Sequence, residues 1–281
     1  MIYKTLEQTD LHLLHSAFVA AFSDYQVTMD IAFKDFQQMM RRRGLASELS
    51  VGAFHDEKLI GFSFTGLRLQ NGLLTAYDIA TGIAPEYRKQ GITSEIFMRE
   101  SALLKDKHVR QYMLEVIKEN LPALRLYQKQ SFQIQREFSC FQIDKSRLIL
   151  CSKYNTEKTN AIHWEQGKAF WDFEPSWQNS VASISATPEA FITVIARFND
   201  EIAGYGIIEP KTGDIPQLAV NPKFRRLGIG TSLLAELTMN TEAEKIRVLN
   251  IEASQNTVVK FLTTLGFEHF VSQYEMILPI R

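Results

Sequence analysis

Apolar residues fall at helical spacing near the start of the chain, where Leu11, Leu14, Phe18 and Phe22 recur along 10–22. A second helix is expected over 31–43, stopping at Gly44, a residue type favoured just past a helix end. The period then shortens. LSVGAF, a turn at Asp56-Glu57-Lys58 and LIGFSFTGLRL read as paired strands, and Asn71-Gly72 signals a hairpin into LLTAYDIATGIA. Beyond lie an expected helix over 91–105, a strand at QYMLEVI, a short helix around 121–130 and a strand over 132–143.

The same order returns from about residue 190. Phe198-Asn199-Asp200-Glu201 through Gly204-Tyr205 echoes the hairpin from Phe54-His55-Asp56-Glu57 to Gly61-Phe62. A strand over 214–221, a helix over 228–240, a strand over 246–253, a short helix near 256–264 and a strand over 267–278 complete the copy. This period is too long for a solenoid and marks a duplicated domain. The polar stretch around 144–162 suits a connection, and the boundary is drawn as 1–145 and 146–281. The aromatic cluster FWDFEPSW at 170–177 reads as a helix end packed on the core or on the other domain, with the lining of a substrate cleft as the lesser reading.

Composition narrows the function only by exclusion. The 281 residues are 45% hydrophobic and 22% charged with a net charge of −1, so no global field selects nucleic acid or an anionic membrane. No apolar run reaches the ~18 residues of a membrane span, and the start MIYKTLEQTD lacks a secretory pattern. The two cysteines, Cys140 and Cys151, read as idle thiols, and a cytoplasmic protein is expected. His12 and His15 stand one helical turn apart with no third ligand nearby, so no metal is expected.

One short segment occurs twice. PEYRKQGIT (85–93) and PKFRRLGIG (222–230) lie 137 positions apart, each between an expected strand and an expected helix. A helix start offers unpaired N–H groups and a partial positive charge, and glycine lets backbone approach a ligand closely. Arg88, Lys89, Arg225 and Arg226 add full charges. The arrangement suits a pyrophosphate. It is neither GxGxxG nor a nucleotide-triphosphate P-loop, since no Gly-Lys-Ser/Thr follows.

A Val/Ile-x-Pro strand end followed by Arg/Gln-x-x-Gly-x-Gly/Ala resembles the coenzyme A loop of the GNAT superfamily of N-acetyltransferases. Val220, Pro222, Arg225, Gly228 and Gly230 match throughout; Ile83, Pro85, Arg88 and Gly91 match with Thr93 in the last small position. LEVIKENLPALRLYQKQSF resembles a second family signature through Glu115, Asn120, Ala123, Leu126, Tyr127 and Phe132, with Ser131 replacing a glycine. The later copy keeps Asn256, Gly266 and Phe267 but has Leu262 where the first has Tyr127.

The resemblance implies an α/β fold of the α+β type, two domains each with a mixed, mostly antiparallel sheet flanked by helices. It implies acetyl-CoA as cosubstrate, held by Ile83, Arg88, Lys89, Gln90, Gly91, Ile92, Thr93, Ser94 and Asn120 in one copy. In the other the set is Val220, Arg225, Arg226, Gly228, Ile229, Gly230, Thr231 and Asn256. By the same resemblance Tyr127 is the general acid toward the leaving sulfur. Asp78 and Glu115 are candidate bases, and Asp24 and Tyr25 lie where acceptor contacts are made. The first half is therefore expected to transfer acetyl to a primary amine on a small molecule or peptide. A coenzyme A-binding sensor or scaffold is the alternative, and a second half without cofactor is a third reading. A homodimer is an open option; nucleic acid and membrane partners are not expected.

Overall fold

The structure is a computed structural model that describes residues 1–24, 31–160 and 162–280. In chain order the first elements are β1 (Ile2–Thr5), α1 (Leu11–Ala21), α2 (Phe33–Arg43), β2 (Val51–His55), β3 (Lys58–Gln70) and β4 (Leu73–Ile83). Next come α3 (Ile92–Asp106), β5 (Gln111–Ile117), α4 (Leu121–Lys129) and β6 (Gln133–Asp144). The second series runs β7 (Thr156–Thr159), α5 (Trp164–Lys168), α6 (Val181–Ala186), β8 (Ile192–Phe198), β9 (Glu201–Glu209) and β10 (Asp214–Val220). It closes with α7 (Ile229–Met239), β11 (Lys245–Glu252), α8 (Asn256–Thr264) and β12 (Glu268–Pro279).

Packing divides the chain into two compact units. Unit 1 holds Met1–Val116, Asn120–Gln135 and Glu275–Arg281; unit 2 holds Ile117–Glu119 and Arg136–Tyr274. A single cut at 145/146 does not describe them, because the division falls inside β6 and β12. Strand order in unit 1 is β1-β2-β3-β4-β5 and then residues 275–279 of β12; in unit 2 it is residues 268–274 of β12 and then β6-β11-β10-β9-β8-β7. Each sheet is mixed: β4 runs parallel to β5 and β10 parallel to β11, and the other registered pairs are antiparallel.

Local chemistry explains the elements. Asp10 caps α1 by accepting the His12 N–H at 2.7 Å, and Gly44 ends α2 in the left-handed region at φ 76°. The hairpins at Asp56-Glu57 and Asn199-Asp200 share positive φ at both positions, the twist that suits tight hairpins. Phe18, Phe36, Phe62 and Phe64 are fully buried in unit 1, with the Phe62 and Phe64 rings stacked at 4.1 Å. In unit 2, Ile229, Leu233 and Leu237 of α7 pack on Val194, Ala203, Ile208 and Val248.

The aromatic segment at 170–177 is core, as its sequence suggested. Phe170 and Trp177 are buried, and the Trp171 ring N–H donates to the Tyr205 hydroxyl at 2.5 Å. Two short strands lack an apolar signature. IYKT and TEKT, β1 and β7, are the outer strands in their orders; β1 exposes alternate residues and β7 exposes Glu157 and Lys158.

Candidate functional site

Both repeated loops adopt one backbone course. A single 3-10 turn at Pro85–Tyr87 or Pro222–Phe224 is followed by positive φ at Lys89 (62°) and Gly91 (77°), or at Arg226 (67°) and Gly228 (100°). The glycines then start α3 and α7, so each loop turns its free amides toward a helix N-terminus, a geometry that favours an anion. Lys89, Gln90 and Gly91 are exposed at that turn, Ile92 is buried beneath it, and Thr93 and Ser94 are half-buried in the first turn of α3.

Arg88 and Arg225 brace the loops from behind. The Arg88 fork donates to the Ile83 and Ala21 carbonyls at 3.1 and 2.9 Å and to both Asp24 oxygens at 2.7 Å. Arg225 repeats this with the Val220 carbonyl at 3.1 Å, the Phe170 carbonyl at 3.0 Å and Asp172 at 2.9 Å. Asp24 is thus tied to Arg88, whose hydrogen bond holds its carboxyl below the usual range; Tyr25 lies outside the described residues. Asn120 caps α4, its side-chain oxygen accepting the Ala123 N–H at 3.2 Å. Asn256 is exposed at the start of α8.

The strands carrying the loops splay from their neighbours. Parallel register between β4 and β5 covers only Thr75–Tyr77, and between β10 and β11 only Asp214 with Arg247. Past Asp78 the β3–β4 register shifts, leaving Ile79 as an extra residue whose carbonyl accepts from Arg43 at 3.1 Å. Asp78 stands just before this bulge, buried, and Tyr127 on α4 donates its hydroxyl to Asp78 Oδ2 at 3.0 Å. Thr81 also reaches the carboxylate, at 3.0 and 3.1 Å. Burial raises the Asp78 carboxyl to about 6, with the bonds from Thr81 and Tyr127 and the Arg43 charge pulling the other way. Glu115 is half-buried on β5, and its charge bears on the Tyr77 phenol, which burial pushes well up.

Unit 2 fills the corresponding space with its own side chains. Helix α4 buries no residue fully, whereas α8 buries Leu262 and lays Val258, Val259 and Phe261 on the core. A Cβ added to Gly230 would meet Phe261 at 3.4 Å. The segment before β7 lies across the loop: Lys153 and Tyr154 amides donate to the buried Ser232 Oγ at 3.0 and 3.3 Å, and the Tyr154 hydroxyl donates to the Leu227 carbonyl at 3.2 Å. A Cβ on Gly228 would touch Lys153 and Tyr154, while one on Gly91 would meet nothing within 4 Å. The cradle of unit 1 is open and suits a pyrophosphate, whereas Lys153 and Tyr154 lie beside that of unit 2.

Sequence reasoning named Asp78 and Tyr127 separately, and the fold joins them. It passed over Thr81, and it passed over Glu100, a fully buried carboxyl on α3. The available signal was spacing: Glu100 follows Ile96 by four residues and precedes Leu104 by four, a charge on the apolar stripe. Among the described residues no group of three or more His, Cys, Asp or Glu could hold a metal, and no helix is long and apolar enough to cross a membrane.

Comparison with known proteins agrees with this geometry. Residues 11–132 match the acetyltransferase (GNAT) family profile, and residues 165–276 match a second acetyltransferase (GNAT) domain profile. A search of curated protein sequences gives no match. A tandem GNAT protein of the clavulanic acid biosynthesis pathway superposes with TM-score 0.75 at 14% identity, covering 100% of this chain and 98% of that one. A GCN5-related N-acetyltransferase from Sphaerobacter thermophilus gives 0.71 at 13%, covering 100% and 96%. One from Anabaena variabilis gives 0.64 at 12%, covering 100% and 73%. Two matched profiles, with a glycine-started helix in each, place this chain in the GNAT family of N-acetyltransferases, as a tandem member with two such domains.

Proposed function

We propose that unit 1 transfers an acetyl group from acetyl-CoA to a primary amine, and that unit 2 neither binds the cosubstrate nor catalyses. The observation that carries this reading is the Tyr127–Asp78 hydrogen bond beside an open loop. At the matching positions unit 2 has Leu262, Ile215 and a loop covered by Lys153 and Tyr154. The backbone amides around Gly91, with Lys89 nearby, would hold the pyrophosphate, and Arg88 would keep that backbone in place. The cosubstrate supplies an activated thioester.

The chain's own residues then manage protons. An ammonium acceptor loses two protons in becoming an amide, and the leaving thiolate takes one. Tyr127 is the donor to the thiolate. Asp78, ionised at neutral pH, orients the phenol and passes back to Tyr127 a proton drawn in the end from the ammonium. Glu115, half-buried on the neighbouring strand, is a second acceptor that would serve the incoming amine. The acceptor's identity lies beyond these residues; its chemistry is a neutral amine delivered to the splayed end of β4 and β5.

Calorimetric titration of the full chain with acetyl-CoA will give one site. Gly91→Val, which forces a β-branched residue to φ 77°, will weaken it by about tenfold or more. Gly228→Val will leave it intact. Two sites, or binding that survives Gly91→Val and fails in Gly228→Val, would assign the cosubstrate wrongly. An amine panel with free-thiol detection tests transfer; binding without thiol release from any amine would favour a sensor.

A further inference from the structure

The core of unit 1 contains a run of polar side chains that the reaction outlined above leaves unused. Glu100 is fully buried, and both of its oxygens take hydrogen bonds from Ser63, at 3.0 and 3.1 Å, with Thr65 also donating to it. Ser63 lies 3.3 Å from Thr81 Oγ1 and 3.3 Å from the Tyr112 hydroxyl. Thr81 reaches Asp78, which accepts from Tyr127. An unbroken chain of hydrogen-bonding groups therefore runs from Glu100 through Ser63, Thr81 and Asp78 to Tyr127.

The duplicate domain shows that the fold does not require this chain. Position for position, Ser63 becomes Gly206, Thr65 becomes Ile208, Asp78 becomes Ile215, Thr81 becomes Leu218, Glu100 becomes Leu237 and Tyr127 becomes Leu262. The registers agree: Ser63 faces Thr81 as Gly206 faces Leu218. The contact is kept as well, since a Cβ on Gly206 would lie 2.6 Å from the Leu237 Cδ1. A leucine fills the Glu100 site without burying a carboxyl, a burial that costs several kcal/mol when the group is charged. Unit 1 keeps the costly version, and keeps all six polar members together.

Proton counting decides how the chain is ordered. Among the described residues, the cation that acts on Asp78 is Arg43 of α2, and it would have two ionised carboxylates to offset. The other groups facing them are the Tyr77, Tyr112 and Tyr127 hydroxyls; burial pushes the first two phenols well up, and burial together with the Asp78 charge raises the Glu100 carboxyl. One proton shared between Glu100 and Asp78 removes the conflict. Placed on Glu100, it allows Glu100 to donate to Ser63, Ser63 to Thr81 and Thr81 to Asp78, with every hydroxyl satisfied. Placed on Asp78, it reverses each bond.

We propose that Glu100 is a positioning residue of the acetyl-transfer site, storing the proton that reaches Asp78 and Tyr127 through Ser63 and Thr81. The proposal rests on the transferase reading of unit 1. As the C–N bond forms and the C–S bond breaks, the bonding pair goes to sulfur and Tyr127 gives sulfur its proton. Asp78 returns a proton to Tyr127 while taking one from Thr81. Thr81 is resupplied by Ser63, and Ser63 by Glu100. Net, one proton leaves Glu100 for sulfur. Of the two protons shed by the ammonium, one travels back to Glu100 and the other goes to water. No phenolate stands beside the Asp78 carboxylate at any stage.

The test compares the full chain with Glu100→Gln and Ser63→Ala, using acetyl-CoA and the best amine of a panel. Wild-type kcat will decline as pH rises through about 8, where Glu100 gives up its proton. Glu100→Gln will lower kcat by about tenfold or more and lose that decline, with acetyl-CoA affinity and the melting temperature at pH 6 unchanged. Ser63→Ala will lower kcat similarly, and both variants will reduce the solvent isotope effect. An infrared pH titration needs no acceptor: wild type will show a protonated buried carboxylic acid at pH 7, absent in Glu100→Gln. A Glu100→Gln enzyme with wild-type kcat and pH profile overturns the proposal, as does an infrared band that survives the substitution. A wild-type chain that releases no thiol with any amine overturns the transferase reading, and the relay falls with it.

Discussion

Replacing Tyr127 with phenylalanine will lower kcat for acetyl transfer by about a hundredfold and leave acetyl-CoA affinity unchanged. The substitution removes one oxygen, the donor to Asp78 at 3.0 Å, while keeping a ring that packs edge-on against Phe97 and Phe132. Any loss therefore reports proton transfer rather than packing. Asp78→Asn keeps the shape and cannot exchange a proton in the same way, so it will lose a similar factor. Because the two side chains act together, the double variant will be no slower than the slower single one. Thiol release at constant acetyl-CoA measures all three. Independent, multiplying losses would separate Asp78 from Tyr127, and full activity in Tyr127→Phe with loss in Leu262→Ala would move the chemistry to unit 2.

Stability will fall as pH rises from about 4.5 toward 8 in wild type, and this slope will flatten in Glu100→Gln. Burial lifts the Glu100 carboxyl from 4.5 to about 8, against bonds from Thr65, Tyr112 and Ser63. Between those values the unfolded chain has released a proton that the folded chain still holds. Its contribution is complete below the unfolded value and is lost as pH climbs through the folded one, at up to about 1.4 kcal/mol per pH unit. Asp78, raised to about 6, steepens the lower part of the same window. Thermal unfolding from pH 5 to 9 reads this directly. At pH 9 Glu100→Gln will melt above wild type; parallel curves would mean that Glu100 is ionised in the folded protein.

Much of this molecule was legible in the order of its residues. Helix α3 was expected over 91–105 and spans Ile92–Asp106, because Ile92, Ile96, Phe97 and Leu104 mark its buried face. The two glycine loops announced themselves by repetition, and glycine accounts for the positive φ at Gly91 and Gly228 but not for that at Lys89 and Arg226. Local pattern was silent where partners are distant. The Tyr127–Asp78 bond joins residues 49 positions apart, and the Ser63–Glu100 bond joins residues 37 apart. Lys153 and Tyr154, in a polar stretch that reads as a connection, cover a loop more than 70 positions away. Arg88 and Arg225 read as ligands for phosphate because charge is visible in a sequence and its carboxylate partner is not.

The placement of Glu275–Arg281 in unit 1 carries a consequence for biogenesis. Domains made on the ribosome ordinarily fold in the order they emerge. Unit 1 cannot: its sheet lacks the strand beside β5 until β12 has been synthesised, long after residue 135 has left the exit tunnel. Unit 1 thus begins first and finishes last, and in the interval β5 offers an unpaired edge to other nascent chains. A fragment ending at residue 145 would be frozen at that stage. Its silence in a binding assay would report an unfinished sheet, not an absent site.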